Sequence, residues 1–273
     1  MKQTIADLRA VLWPVLRFGL WVLLVSVPAS LLISWWFPFP WWKAFRRCVS
    51  IGAAVSLWLT LKSQRRSLRS YGFVNWRAGK RQFSFGLLLG GGALVFLFGL
   101  YLVSGVCQLK LTGDHVKFWR TILGFIPAAV LVGVLEEAVF RGFLLQQLLI
   151  YSRPLALILS SALYAIVHLK QPHFTPTTWL ELGGLFLLGN LLALTFLLTQ
   201  QLYLAVGLHA ALAYMARVNK LVVSFPDTSI SWLVGTSRLV NGVVSWAVLL
   251  GLAAIVTWWA RTSRRGGARH EEA

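Results

Sequence analysis

Acidic residues are what this chain has least of: eight Asp and Glu in 273 residues, against 26 Lys and Arg. Charged residues of both signs make up only 12% of it, about half the ~25% usual for a soluble domain. That shortage excludes an ordinary solvated surface. There are two cysteines, Cys48 and Cys107, both inside apolar runs and in no CxxC spacing. A disulfide framework and a thiolate metal site are therefore not indicated. No HExxH occurs, so the local signature of a zinc peptidase is missing. No cleavable signal is expected, because the first apolar run is long, contains Arg17 and lacks a small-residue cleavage site behind it. With no internal repeat, low-complexity tract or linker, residues 1–273 read as a single integral membrane domain.

What is present is apolar: 58% hydrophobic residues and a mean hydropathy of +0.71. A bilayer-spanning helix takes about 20 such residues, and the pattern predicts an all-α polytopic membrane protein of about eight spans. These are expected near 12–36, 43–61, 83–107, 120–150, 154–169, 178–199, 202–218 and 241–260. The first has a candidate kink at Pro28, and its end meets the aromatic cluster Trp35–Trp42, read as an interfacial belt. The fourth is too long for one perpendicular span and must tilt, or break near Pro127. The run Gly90–Gly92 in the third would permit close helix approach.

The net charge of +18 would suggest nucleic acid in a soluble protein. Here the basic residues sit in short loops between apolar runs, a pattern of orientation signals and lipid headgroup contacts, so the expected partner is the bilayer and not nucleic acid. The segment 62–82 carries Lys62, Arg65, Arg66, Arg69, Arg77, Lys80 and Arg81 with no acid, and the tail 261–273 carries Arg261, Arg264, Arg265 and Arg269. An even number of spans places both termini and this loop on one side, the cytoplasmic one by the positive-inside rule. The other loops hold Lys43, Arg46, Arg47, Lys110, Lys117, Arg120, Arg217 and Lys220, so the bias is moderate.

Against that background Glu136 and Glu137 stand out, adjacent inside FIPAAVLVGVLEEAVFRGFLLQQLLI. A carboxylate at bilayer depth costs about 2.5–3.5 kcal/mol on insertion scales, and an intramembrane ionisable residue is a functional candidate by default. Arg141 follows Glu137 by four residues, on the same helix face, where the two can pair. Glu136 is rotated by about 100° and left to project elsewhere, as a general base or acid would. His168 ends LILSSALYAIVHL with Tyr164 four residues before it, and His209 sits within LYLAVGLHAALAYM. Each histidine taken alone is equally a satisfied polar residue at a helix interface. Together, one carboxylate and two imidazoles from three spans make a hydrolytic set. Asn190 is a candidate for an interhelical bond or for the site lining. Glu181 is expected at the interface in a structural or gating role. His115, His173 and His270 are expected to be solvated.

EEAVFR (136–141), YAIVH (164–168) and GLHAALA (207–213) resemble, in order and spacing, the three motifs of the CAAX protease and bacteriocin-processing (CPBP, Rce1-like) intramembrane proteases, over a core of about 120–215. The resemblance implies an eight-helix glutamic-type endopeptidase around a membrane-enclosed cavity. It implies Glu136 as catalytic glutamate, Glu137 as its paired neighbour and Arg141 as structural partner. His168 would help to activate water, and His209 would stabilise the oxyanion. The family often has Asn or another polar residue four residues after the last histidine, where this chain has Ala213; the second oxyanion donor is then either missing or supplied by Asn190 or Tyr164. No cofactor is expected. The same residues, Glu136, His168 and His209, also form a His₂Glu set that could ligate zinc. Two other classes stay open: a proton-coupled transporter and a non-catalytic immunity or scaffold protein. The expected substrate is a hydrophobic protein or peptide, a tail or leader in a prokaryotic inner membrane.

Overall fold

Local sequence sets where the helices begin. In this computed structural model, which describes residues 2–38, 40–169, 175–226, 229–235 and 240–271, with side chains from 12 to 263, four starts are capped by a side chain. Asn75 accepts from Arg77 N ahead of α3 (Trp76–Val103), and Asp114 accepts from Lys117 N at 2.8 Å ahead of α4 (His115–Glu137). Ser152 caps α6 (Arg153–Val167), and Thr175 closes a capping box with Thr178 ahead of α7 (Pro176–Thr199). Both of the last two carry a proline in the first turn, where its missing N–H costs nothing. Before these come α1 (Lys2–Trp36) and α2 (Trp41–Ser63). After α4 the chain widens into π-helical turns over Ala138–Leu145 and closes with α5 (Gln146–Leu149). Then follow α8 (Tyr203–Val222), the short α9 (Ser231–Val234) and α10 (Val243–Glu271). A two-residue strand pair, Gln108–Leu109 against Val223–Ser224, is antiparallel.

Among the described residues, six helices are long and apolar enough to cross a membrane: Leu12–Trp36, Trp41–Ser63, Trp76–Val103, His115–Leu149, Pro176–Thr199 and Val243–Ser263. The two other expected spans differ for physical reasons. The fifth, α6, has only 15 residues, about 22 Å at 1.5 Å per residue, and so ends short of a full crossing. The seventh, α8, has a lower mean hydropathy because it carries His209, Arg217, Asn219 and Lys220, and its first half is enclosed by protein, every residue from Tyr203 to Ala210 being buried. The fourth runs 35 residues without a break. Pro127 lies inside the helix, and the departure from α geometry falls instead at 138–145. The first likewise stays one helix through Pro14 and Pro28.

α8 is the axis of the molecule, and glycines let its neighbours close on it. A Cβ at Gly86 of α3 would collide with α8 backbone at Leu204 and Leu208, one at Gly90 would crowd Leu208 O at 3.0 Å, and one at Gly207 would collide with Phe83 O. Gly91 and Gly92 have open space beside them, so of the expected run only Gly90 serves the interface. On the other side, Gly133 of α4 faces Val206 O at 3.2 Å. These contacts run α3 parallel to α8 (Gly79 at Tyr203, Gly90 at Ala211) and α4 antiparallel to it (Gly133 at Val206, Tyr214 Oη donating to Ile122 O at 2.9 Å). α6 and α7 pair through Ser161 and Gly189. Long apolar side chains elsewhere point outward, among them Trp13, Leu16, Leu24, Leu88, Val95 and Leu131, as a lipid-facing surface requires. Trp35, Trp36, Trp41 and Trp42 are exposed at the α1–α2 turn, the position of an interfacial belt.

Candidate active site

Three helix segments bring the rare polar residues together. Glu136 and Glu137 close α4, Arg141 lies in the π-helical turns, His168 caps the end of the short α6, and His209 lies in the second turn of α8. Because α6 stops early, its C-terminal histidine is delivered to the interior.

Glu137 is fully buried, at 0% exposure, and Arg141 is nearly so at 2%. Arg141 Nη1 donates to Glu137 Oε1 at 3.0 Å, and its Nη2 donates to Gly189 O at 2.9 Å. The guanidinium also lies 4.7 Å from the Tyr164 ring centre, a cation–π position. His209 Nδ1 donates to the same Glu137 Oε1 at 2.7 Å. Glu137 is thus held between a cation and an imidazole N–H. That bond orients the ring and leaves His209 Nε2 facing Glu136 Oε2 at 3.6 Å.

Glu136 is different. It is 24% exposed, and its Oε2 lies 3.1 Å from His168 Nε2, itself 26% exposed. His168 Nδ1 is 2.7 Å from Tyr164 O. A carbonyl only accepts, so Nδ1 carries a proton and donates it there. Nε2 and the Glu136 carboxyl therefore hold one proton between them, on either atom, in a contact open to a reactant. The Tyr164 ring stacks on His168 with centroids 4.1 Å apart and 34° between planes. Ring stacking and the carbonyl bond together restrict the imidazole to one orientation.

The remaining expected residues fall at the margin. Asn190 Nδ2 donates to Phe186 O of its own helix at 2.9 Å. Ala213 lines a cavity of about 300 Å³ that has His168 at one end and Arg217 and Lys220 at the other, and Glu181 lines it too. His115 is exposed at the start of α4; His173 and the side chain of His270 lie outside the described residues. Among the described residues, no three His, Cys, Asp or Glu side chains are placed to close on one metal ion. Sequence reasoning missed the bond from His209 to Glu137, which joins residues 72 apart, and the use of Gly189 O and Tyr164 O as acceptors. Backbone carbonyls carry no side-chain signal.

Membrane-crossing helices around a buried Glu–Arg–His cluster define the class: an integral membrane protein with an intramembrane polar site. The family model described as type II CAAX prenyl endopeptidase Rce1-like matches residues 118–215, the stretch that holds Glu136, Glu137, Arg141, Tyr164, His168 and His209. Over that stretch the chain is similar to that family. No curated protein and no solved structure matches the chain.

Proposed function

We propose that the protein is a CPBP-type intramembrane endopeptidase that hydrolyses a peptide bond in a hydrophobic, membrane-associated protein or peptide. The observation that carries this reading is the asymmetry of the glutamates. Glu137 is fully buried and its Oε1 accepts from both Arg141 and His209, with Oε2 left without a partner, whereas the part-exposed Glu136 shares one proton with His168, which lines a cavity. In this reading Glu136 takes the proton of a water that attacks the peptide carbonyl, and the Glu136–His168 pair, its imidazole oriented by Tyr164 O, delivers a proton to the leaving nitrogen as the C–N bond breaks. His209, held on Glu137 through Nδ1–H, acts as the imidazolium and donates its Nε2–H to the developing oxyanion. Peptide hydrolysis needs a base, a positioned proton and an oxyanion donor, and one residue is assigned to each. Both termini are cytoplasmic in this reading, after the basic segment 62–82.

The test is cleavage of co-expressed hydrophobic membrane or secreted candidates. Glu136→Ala and His168→Ala should each abolish cleavage while the protein inserts at wild-type abundance. Full cleavage by Glu136→Ala sinks the assignment, and substrate flux without cleavage would mean a transporter. Water is activated here without a metal, so activity should survive exhaustive chelation. Loss on chelation, with recovery on adding Zn²⁺, would instead support Glu136, His168 and His209 as zinc ligands.

A further inference from the structure

We infer that substrate reaches Glu136 from the membrane face opposite the one that carries the outer ends of α1 and α10, so that the chain being cut is presented on the non-cytoplasmic side. The inference rests on the protease reading above for its purpose, and on packing for its direction.

The face that carries the outer ends of α1 and α10 also carries the 64–75 connection, the turn between α5 and α6, and the start of α8. A pocket of about 300 Å³ opens on that side between Arg69, Ser70, Gln146, Phe196 and Gln200, but none of Glu136, Glu137, His168 and His209 lines it, and below the glutamate pair the protein is tightly packed. Tyr71, Phe143, Leu145, Phe196 and Leu202 form one buried cluster, each 3% exposed or less, and Gly142 is pressed against the Tyr71 ring. The route is closed there even though it would be the shorter one. His209 lies six residues from the start of α8 and thirteen from its end, about 9 Å against about 20 Å at 1.5 Å per residue. The cavity runs the long way. It begins at His168, passes Leu212, Ala213 and Ala216, and ends at Arg217 and Lys220, which are exposed in the last turns of α8. That end is also where Gln108–Leu109 pairs with Val223–Ser224, on the face opposite the 62–82 segment. The 62–82 segment has seven Lys and Arg and no acid, the strongest retention signal in the chain. Apolar walls from Leu94, Leu188 and Leu249 suit an extended apolar segment of an exported or membrane-anchored protein.

The experiment is labelling of full-length protein in spheroplasts with a membrane-impermeant maleimide. Cys48 and Cys107 are 1% and 2% exposed, so the parent protein supplies a low baseline. Arg217→Cys at the rim and Ala213→Cys within the cavity should label in intact spheroplasts, and Arg69→Cys in the basic segment only after permeabilisation. Labelling of Arg69→Cys in intact spheroplasts overturns the proposal. So does an Ala213→Cys that labels only together with Arg69→Cys, or that stays unlabelled on both sides. Should a cysteine variant fail to accumulate, phosphatase and fluorescent-protein fusions after residue 273 read the orientation independently; an active phosphatase there also overturns it. Labelling needs no turnover, so Glu136→Ala introduced into each variant should leave the pattern unchanged. A wrong protease assignment and a wrong direction therefore give different results.

Discussion

At the scale of single residues, the two glutamates show how one residue type takes two roles through its surroundings. Arg141 makes Glu137 tolerable in an apolar interior, and its own charge is spread over a carboxylate, a carbonyl and an aromatic face. Removing one partner of a buried pair leaves the other uncompensated, which costs about 3–5 kcal/mol. Arg141→Met should therefore lower stability by about that amount, read as denaturant or thermal unfolding in detergent, and should lower activity only as far as the folded fraction falls. His209→Ala should do the reverse, leaving Arg141 on Glu137 and cutting the rate by about 10²–10³, the usual cost of one oxyanion donor. Tyr164 contributes its ring and its carbonyl to the imidazole, so Tyr164→Phe should keep most activity and Tyr164→Ala should lose it. Comparable loss in both would transfer the role to the phenol.

At the scale of elements, the helices act as rulers. α6 is held against α7 where Gly189 meets Ser161, with a built Cβ 3.0 Å from the Ser161 backbone. Seven residues further on is His168. A methyl group at 189 must move α6 by a few tenths of an ångström, and that displacement is carried to the His168–Glu136 contact. Misplacements near 1 Å can cost about 10²-fold in rate, so Gly189→Ala should reduce kcat by more than tenfold while changing the melting temperature little; equal losses of both would show a merely structural site. This is also where legibility stopped. The Glu137–Arg141 pairing could be read from four-residue spacing, and the set of Glu136, His168 and His209 from the rarity of such groups in apolar runs. That α6 is short, that α8 is enclosed by protein, and that the fourth helix widens after Glu137 instead of breaking at Pro127 depend on packing. A hydropathy profile treats every apolar helix as if lipid surrounded it, and α8 is the counterexample.

At the scale of the whole molecule, the site belongs to α4, the π-helical turns, α6, α7 and α8, while α1 and α2 form a hairpin at the side. The hairpin joins the rest mainly through Phe18 stacked on Phe143 at 4.8 Å and through Leu57 in the same cluster. None of the hydrogen-bond partners of Glu136, Glu137, Arg141, His168 or His209 lies on it. Two glycines with similar local crowding should therefore behave differently. At Gly52 a built Cβ collides with Ser26 Oγ and comes 2.8 Å from Val22 O, within the hairpin; at Gly207 it collides with Phe83 O, between α8 and α3. Overpacking of this kind costs about 1–3 kcal/mol at either place. Gly52→Leu should lower the melting temperature and leave the turnover of the folded fraction close to wild type. Gly207→Leu, two residues from His209, should lower both, because α8 cannot retreat from α3 without drawing the imidazole away from Glu136 and Glu137. Turnover per folded molecule, from cleavage rate and the folded fraction measured on the same sample, separates the two outcomes; an equal loss of turnover in both variants would mean that the hairpin is part of the catalytic unit.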